Sequence, residues 1–358
     1  MAELEELTRR EFLLRAGKIA GVIIGASVLS FPSQSIALAE ETKEAKVYIY
    51  NSLYKGYILA DNLKRLSTVA INPASNQVYF IGRDGDESSI AIRTFRKGLP
   101  AFFLSVEGKS WGGYMSNKMA INNLGQMFVY YATNDENNMT IYDLKSGRCL
   151  FEKKLQPRHK NGKCLTDHFF VGSVAANPIT NDFYMSGNTD TYLNSLNVSD
   201  RTMKVHEGKG VYNTVSMTFD LRGNLFISDL FTEILKKYDG ATWKQIEFSN
   251  LRKVVGDCNS FTIGGLATDR STGNIVMWGY PVAKNYLEKG GTIFMPNFIL
   301  SCNTITGQVT PLACMHGGKG RIEGLDFDTK GNIYFSTSNH TLPFSEEKGK
   351  IYMLKKVS

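Results

Sequence analysis

Apolar residues fall along this chain in short runs, and the runs come in pairs split by a polar turn. Each pair reads the same way: an apolar strand, an Asn or Asp, a few turn residues often including Gly-Asn, then a second apolar strand. Val69-Ala70-Ile71-Asn72 leads to Val78-Tyr79-Phe80, and Met119-Ala120-Ile121-Asn122 leads to Met127-Phe128-Val129. Val174-Ala175-Ala176-Asn177 is followed by Phe183-Tyr184-Met185, and Met217-Thr218-Phe219-Asp220 by Leu225-Phe226-Ile227. The last two copies are Leu266-Ala267-Thr268-Asp269 with Ile275-Val276-Met277, and Leu325-Asp326-Phe327-Asp328 with Ile333-Tyr334-Phe335. Asn and Asp suit the anchor position because their side chains bond the backbone two residues on, and Gly supplies the positive φ that closes the turn.

The anchors stand at 72, 122, 177, 220, 269 and 328, with gaps of 50, 55, 43, 49 and 59 residues. A four-stranded propeller blade takes about 40–50 residues, so each gap holds one blade with loop insertions. The fold class this predicts is all-β, a six-bladed β-propeller over 46–358. The 59-residue gap is assigned to a long loop, Tyr280 to Pro296, rather than to a seventh blade. Outer hairpins are predicted at Ile141–Phe151, Lys237–Trp243 and Ser301–Val309, with weaker copies at Ser195–Asn197 and Ala91–Arg93. The sixth blade has a third strand, Ile351–Leu354, but no fourth. Val47–Tyr50 precedes the first unit without a partner, and it is expected to supply that fourth strand and close the ring.

Glu323-Gly324-Leu325-Asp326-Phe327-Asp328-Thr329-Lys330-Gly331-Asn332-Ile333-Tyr334 resembles the repeat of the NHL-type and gluconolactonase/strictosidine-synthase-like six-bladed propellers, and Met217 to Ser228 does so less sharply. The resemblance implies architecture; the fold hosts lactonases, lyases, receptors and scaffolds, and fold alone does not select among them. In gluconolactonase-like enzymes a Glu-Gly pair at this place supplies a metal ligand, which here implies Glu323, with calcium or zinc as the cofactor. Those families add Asn or Asp ligands within Asn-Gly or Asp-Gly pairs. Here Thr214 follows Asn213, and Gly264-Gly265 stands where an Asn-Gly is expected. Glu323 therefore has two readings, as a metal ligand or as an ionic partner of Arg321.

Loops at the channel end bearing Glu323 carry Asp84, Asp86, Asn117, Lys118, Asp135, Asp167, His168, Asp190, Asn213, Asp229, Asn259, Tyr280, Asn339 and His340. Many are the hard oxygen donors that suit Ca²⁺. The set most able to meet at one point is Glu323, Asn213, Asn259 and His168, contributed by different blades or their approaches. Other chemistries lack their motifs. There is no C-x-x-C-H for haem attachment, no G-x-S-x-G, and no P-loop spacing around Gly317-Gly318-Lys319-Gly320. The catalytic residues are not identified. The best-supported function class is a protein-interaction or ligand-binding module, with a metal-dependent lactonase or hydrolase as the alternative.

The start of the chain carries separate information. Arg9-Arg10-Glu11-Phe12-Leu13 resembles the twin-arginine export consensus; an apolar stretch from Ile19 to Phe31 follows, then Ala37-Leu38-Ala39, an A-x-A cleavage site. Residues 1–39 are thus expected to be a signal peptide and 40–45 a linker, giving a periplasmic or extracellular domain. The translocase is its partner during export, and another extracytoplasmic protein, beside redox proteins on the same route, is the expected later one. No stretch after the signal is long enough to span a bilayer. Four basic and four acidic residues in 1–39 cancel, so the formal charge of +7 belongs to the remainder, where Lys and Arg are dispersed. With no nucleic-acid-binding motif, that spread points away from nucleic acid. Cys302 and Cys314 flank one hairpin out of register, and five cysteines leave at least one unpaired within the chain.

Overall fold

The computed structural model describes residues 2–3, 46–64, 66–83, 90–106, 118–132, 137–155, 171–187, 193–206, 214–229, 233–256, 258, 260–282, 296–316, 320–339 and 348–357. They form six sheets. The first strands are β1 (Ala2–Glu3), β2 (Lys46–Ile49) and β3 (Tyr54–Lys64). Blade one is β4 (Thr68–Ile71), β5 (Val78–Arg83), β6 (Ile90–Arg96) and β7 (Leu99–Val106). Blade two is β8 (Lys118–Ile121), β9 (Gln126–Ala132), β10 (Asn137–Asp143) and β11 (Cys149–Leu155). Blade three is β12 (Val171–Ala176), β13 (Phe183–Gly187), β14 (Leu193–Asn197) and β15 (Thr202–His206). Blade four is β16 (Thr214–Phe219), β17 (Leu225–Asp229), β18 (Leu235–Tyr238) and β19 (Trp243–Ile246), followed by the short helix α1 (Leu251–Val255). Blade five is β20 (Ser260–Thr268), β21 (Ile275–Val282), β22 (Asn297–Cys302) and β23 (Val309–His316). Blade six is β24 (Gly320–Phe327), β25 (Ile333–Asn339) and β26 (Lys348–Lys356) with β3. The inner strands β4, β8, β12, β16, β20 and β24 touch in that order, and β24 returns to β4, so the ring is closed.

Closure by an N-terminal strand is as expected, but the strand is a different one. Val47–Ile49 pairs with Ala313–Met315 and adds a fifth strand to blade five. The partner of Ile351–Leu354 is β3, with Ile58 opposite Tyr352 and Gly56 opposite Leu354. The reason lies in burial: Val47 and Ile49 pack with Ile299, Leu312 and Ala313 between blades five and six, whereas Ala60 packs with Phe80 and Ile351 between blades six and one. Ala2–Glu3 pairs in turn with Tyr57 and Ile58.

A propeller blade is covered on both faces by its neighbours, so its strands need not alternate apolar with polar. Met127, Phe128, Val129 and Tyr130 of β9 are all 0% exposed. The core is a series of layers between blades rather than one interior; one such layer joins Tyr79, Ile81 and Ile92 of blade one to Met119, Met127 and Val129 of blade two.

All six anchors sit where the turn argument puts them, and the turns alternate. The Asn72, Asn177 and Asp269 N–H groups donate to the carbonyl five residues on (Gln77, Asp182, Asn274). Those of Asn122, Asp220 and Asp328 donate four residues on (Gln126, Asn224, Asn332). The left-handed residue moves accordingly, to Asn76, Asn181 and Gly273 in the long turns and Gly125, Gly223 and Gly331 in the short ones. The long turns reach sideways: Asn181 O accepts from Asn122 Nδ2 at 2.9 Å, and Asn76 Oδ1 accepts from Thr329 N–H at 2.8 Å. Cys302 faces Val309 and Cys314 faces Phe298, so the two cysteines do not oppose one another. Among the described residues no helix is long and apolar enough to cross a membrane.

Candidate functional site

The six inner strands enclose an axial cavity of about 230 Å³. Strand parity fixes what faces it. The anchor N–H bonds outward to the second strand of its own blade, and antiparallel ladders repeat every two residues. The N–H groups one and three residues before each anchor therefore turn toward the axis, with no strand to pair them. Buried backbone donors need acceptors, and the inner strands provide several from the blade before. Ser173 Oγ accepts from Met217 N–H at 2.8 Å, and Ser216 Oγ accepts from Leu266 N–H at 2.9 Å. Asp326 Oδ2 accepts from Ile71 N–H at 2.8 Å, and Arg270 pairs with the same carboxylate at 3.2 Å.

Ser173 and Ser216 stand four residues before their anchors. The equivalent positions elsewhere are Thr68, Lys118, Gly265 and Gly324. The two glycines answer to close packing. A Cβ on Gly265 would lie 1.9 Å from the Trp278 ring, and one on Gly324 would lie 2.9 Å from Val69 N. Trp278 is itself held by its indole N–H, which donates to Ile322 O at 3.2 Å. Lys118 is the exception in the ring, a cation where its equivalents are hydroxyls or glycine.

Lys118 lines the cavity and is half-buried there. Among the described residues its side chain makes no hydrogen bond or ion pair. Burial lowers its pKa to about 8; Arg321 pushes the same way and Glu323 opposes them. Glu323 also lines the cavity. Its side chain is 5% exposed, accepts from Arg321 Nε at 2.8 Å, and accepts from Ser338 Oγ at 2.6 Å. Of the two readings of Glu323, the ionic partnership with Arg321 is the one the geometry displays.

The other three nominated ligands, Asn213, Asn259 and His168, lie outside the described residues, as do Asp84, Asp86, Asn117, Asp135, Asp167, Asp190 and His340. Asp229 pairs with Lys236, and neither it nor Tyr280 lines the cavity. Among the described residues no three His, Cys, Asp or Glu side chains converge as a metal site. The signal residues Arg9, Arg10, Phe12, Ala37 and Ala39, and residues 317–319, are likewise outside the described set. Sequence reasoning placed Lys118 only among polar loop residues. Aligning the blades on their anchors is the signal that singles it out.

The unfolded chain holds the Lys118 proton up to pH about 10.5, the folded chain only to about 8. The unfolded state therefore binds more protons across that window, and this residue's contribution to stability rises with pH through it. Below pH 8 both states are charged and the full cost of burying the cation stands. Among the described residues the ionisable groups nearby are Glu323, Arg321 and Tyr130, which is opposite Lys118 in the β8–β9 ladder. Lys118→Met is thus expected to stabilise the protein at pH 7 by about 1–3 kcal/mol. The gain should shrink as pH rises from 8 to 10.5. Urea unfolding of both proteins at pH 7 and pH 10 measures it, and a destabilised Met variant would contradict the assignment of the cost to Lys118.

Six antiparallel sheets around an axial cavity make this protein a six-bladed β-propeller. Comparison with solved structures returns chains of similar fold. The chain is similar to U3-55K, with TM-score 0.54, 11% identity, and 84% of this chain matched to 98% of that one. It is similar to the WD40 repeats of RRP9, with TM-score 0.54, 12% identity, and coverage of 86% and 99%. It is also similar to luciferin-regenerating enzyme, with TM-score 0.54, 11% identity, and coverage of 85% and 96%. At such identities the likeness is one of fold. No protein-family model and no curated protein sequence matches the chain.

Proposed function

We propose that this protein is an exported ligand-binding propeller, carried folded through the twin-arginine route, whose ligand occupies the axial cavity at the Lys118 end. The observation that carries the reading is Lys118 itself, a cation lining a cavity with no described partner and retained at a cost to stability. Buried charges left unpaired are expensive, and perturbed groups of this kind concentrate at functional sites. A periplasmic or extracellular redox protein using the same export route is the partner this reading favours.

A thermal-unfolding screen of the purified chain against neutral, cationic and anionic small molecules tests it. At least one class should raise Tm, because a ligand held only by the folded state stabilises it by mass action. If no compound of any charge does so, the reading fails. For the address, replacing Arg9 and Arg10 together by Lys should reduce the exported fraction at least tenfold, read by cell fractionation. Unchanged export of that variant would remove the twin-arginine assignment and leave the cavity argument standing.

The alternative, a calcium- or zinc-dependent lactonase or hydrolase built on Glu323, has less support. The carboxylate is already engaged by Arg321 and Ser338, and two positive charges stand where a dication would have to sit. Metal analysis of the purified chain separates the readings, since stoichiometric Ca²⁺ or Zn²⁺ would reinstate the hydrolase.

A further inference from the structure

We propose that the axial cavity binds a small aliphatic carboxylate, its oxygens received between the Lys118 ammonium and the backbone N–H of Val174. This rests on the reading of the cavity as a ligand site and names the chemistry it selects. The first argument is the exchange of an acceptor for a donor. In blades three and four the residue four before the anchor is a serine whose oxygen takes the axial N–H of the following blade. In blade two that residue is Lys118, and the axial N–H it faces in blade three is that of Val174, three before Asn177. The parity is fixed by Asn177 N–H, which donates outward to Asp182 O. An ammonium has donors only. Lys118 and Val174 therefore present donors to the same space, and among the described residues none accepts from either. An oxygen acceptor from outside the chain completes the pattern.

The second argument is charge. Among the described residues, Lys118, Arg321 and Glu323 carry two positive charges and one negative at this end of the cavity, and Glu323 is engaged by Arg321 and Ser338. A monoanion balances the excess, and a charge-assisted hydrogen bond is stronger than a neutral one. The third argument is the wall. Val69, Ala70, Ala120, Ala175, Leu266 and Leu325 line the space beyond Lys118. At about 230 Å³ the cavity has ample room for a short acid. The apolar part of the lining suits a hydrocarbon body, and the two facing donor groups, Lys118 and the Val174 N–H, match the two oxygens of a carboxylate.

The experiment is calorimetric titration of the full chain with propionate and lactate, each beside its neutral amide, and with inorganic phosphate. The acids should bind at least tenfold more tightly than their amides and than phosphate. In Lys118→Met that preference should vanish, and since this variant is expected to be the more stable protein, loss of binding cannot be laid to misfolding. Ser338→Ala, which removes a hydrogen bond to Glu323, should leave the acid-over-amide preference in place and guards against a general disturbance of the cavity mouth. Amides binding as well as acids, phosphate binding better than either, or propionate binding unchanged in Lys118→Met would each overturn the carboxylate assignment while leaving a ligand cavity. Absence of binding by these probes together with a silent thermal screen across all charge classes would take both away.

Discussion

A chain that begins at Leu66, and so lacks both β2 and β3, is expected to lose its cooperative unfolding transition and to self-associate. β3 runs beside β26 from Tyr54 opposite Lys356 to Lys64 opposite Lys348. Removing it bares a full strand edge, together with Ile351, Tyr352 and Leu354, which are now 0%, 3% and 0% exposed. Each such side chain contributes about 1.5–3 kcal/mol when buried. Three of them, with the burial of Tyr54 and Ala60, match the whole stability of an ordinary domain, about 5–15 kcal/mol. An open edge is also a template for pairing with another copy. A chain that begins at Tyr50 keeps β3 and loses β2, the fifth strand of blade five, with the two-residue β1, and should stay folded and monomeric with a loss of about 2–4 kcal/mol. Urea unfolding and light scattering on the two truncations distinguish the roles. Equal behaviour would return ring closure to Val47–Tyr50.

The second large effect is expected at Gly265. Its substitution by Ala places a methyl 1.9 Å from two carbons of the Trp278 ring, closer than any real contact. The indole cannot step aside cheaply, because its N–H is bonded to Ile322 O and its ring lies in the layer between blades five and six. A loss of about 3 kcal/mol or more follows, the upper end for overpacking. Gly264→Ala is the control next door: its methyl would stand 3.3 Å from the same ring, a contact relieved by a small shift, and should cost under about 1 kcal/mol. Trp278→Ala combined with Gly265→Ala should cost clearly less than the sum of the single changes, as coupled neighbours do. Strict additivity in chemical denaturation would show that the ring is not what excludes the methyl.

The six blades were legible because turn chemistry is local. Asn72, Asn122, Asn177, Asp220, Asp269 and Asp328 each hold a turn within six residues, and a period of such turns survives any variation in the strands between. The closing strand was not legible because pairing is not local. Val47-Tyr48-Ile49-Tyr50 has the β-branched and aromatic residues that strands favour, whereas Tyr54–Lys64 carries Gly56, Asp61 and Asn62, which strands disfavour. Asn62 has φ of 56°, at a register shift in the pairing with β26. Which strand meets which partner was decided by packing between blades. The site divides the same way. Arg321 and Glu323 are two apart on one strand, near enough for their ionic pairing to be read from the sequence, whereas the register shift at Glu323 was not legible there. Lys118 looks like any polar residue entering a strand until the blades are superposed. Only then does it occupy a position that blades three and four give to serine.

The pairing of β3 with β26 joins residues about 300 positions apart, Ile58 with Tyr352 among them. On the ribosome the early strand must wait, its edge unsatisfied, until every blade between has been made. Ring closure is then a late and slow event, since contacts this distant in sequence bear the largest loop-closure cost and form last. Until it happens the chain is a curved stack with two open ends, exposed to chaperones, proteases and other copies of itself. A transport route that accepts only finished domains would in effect be reading whether these two strands have met.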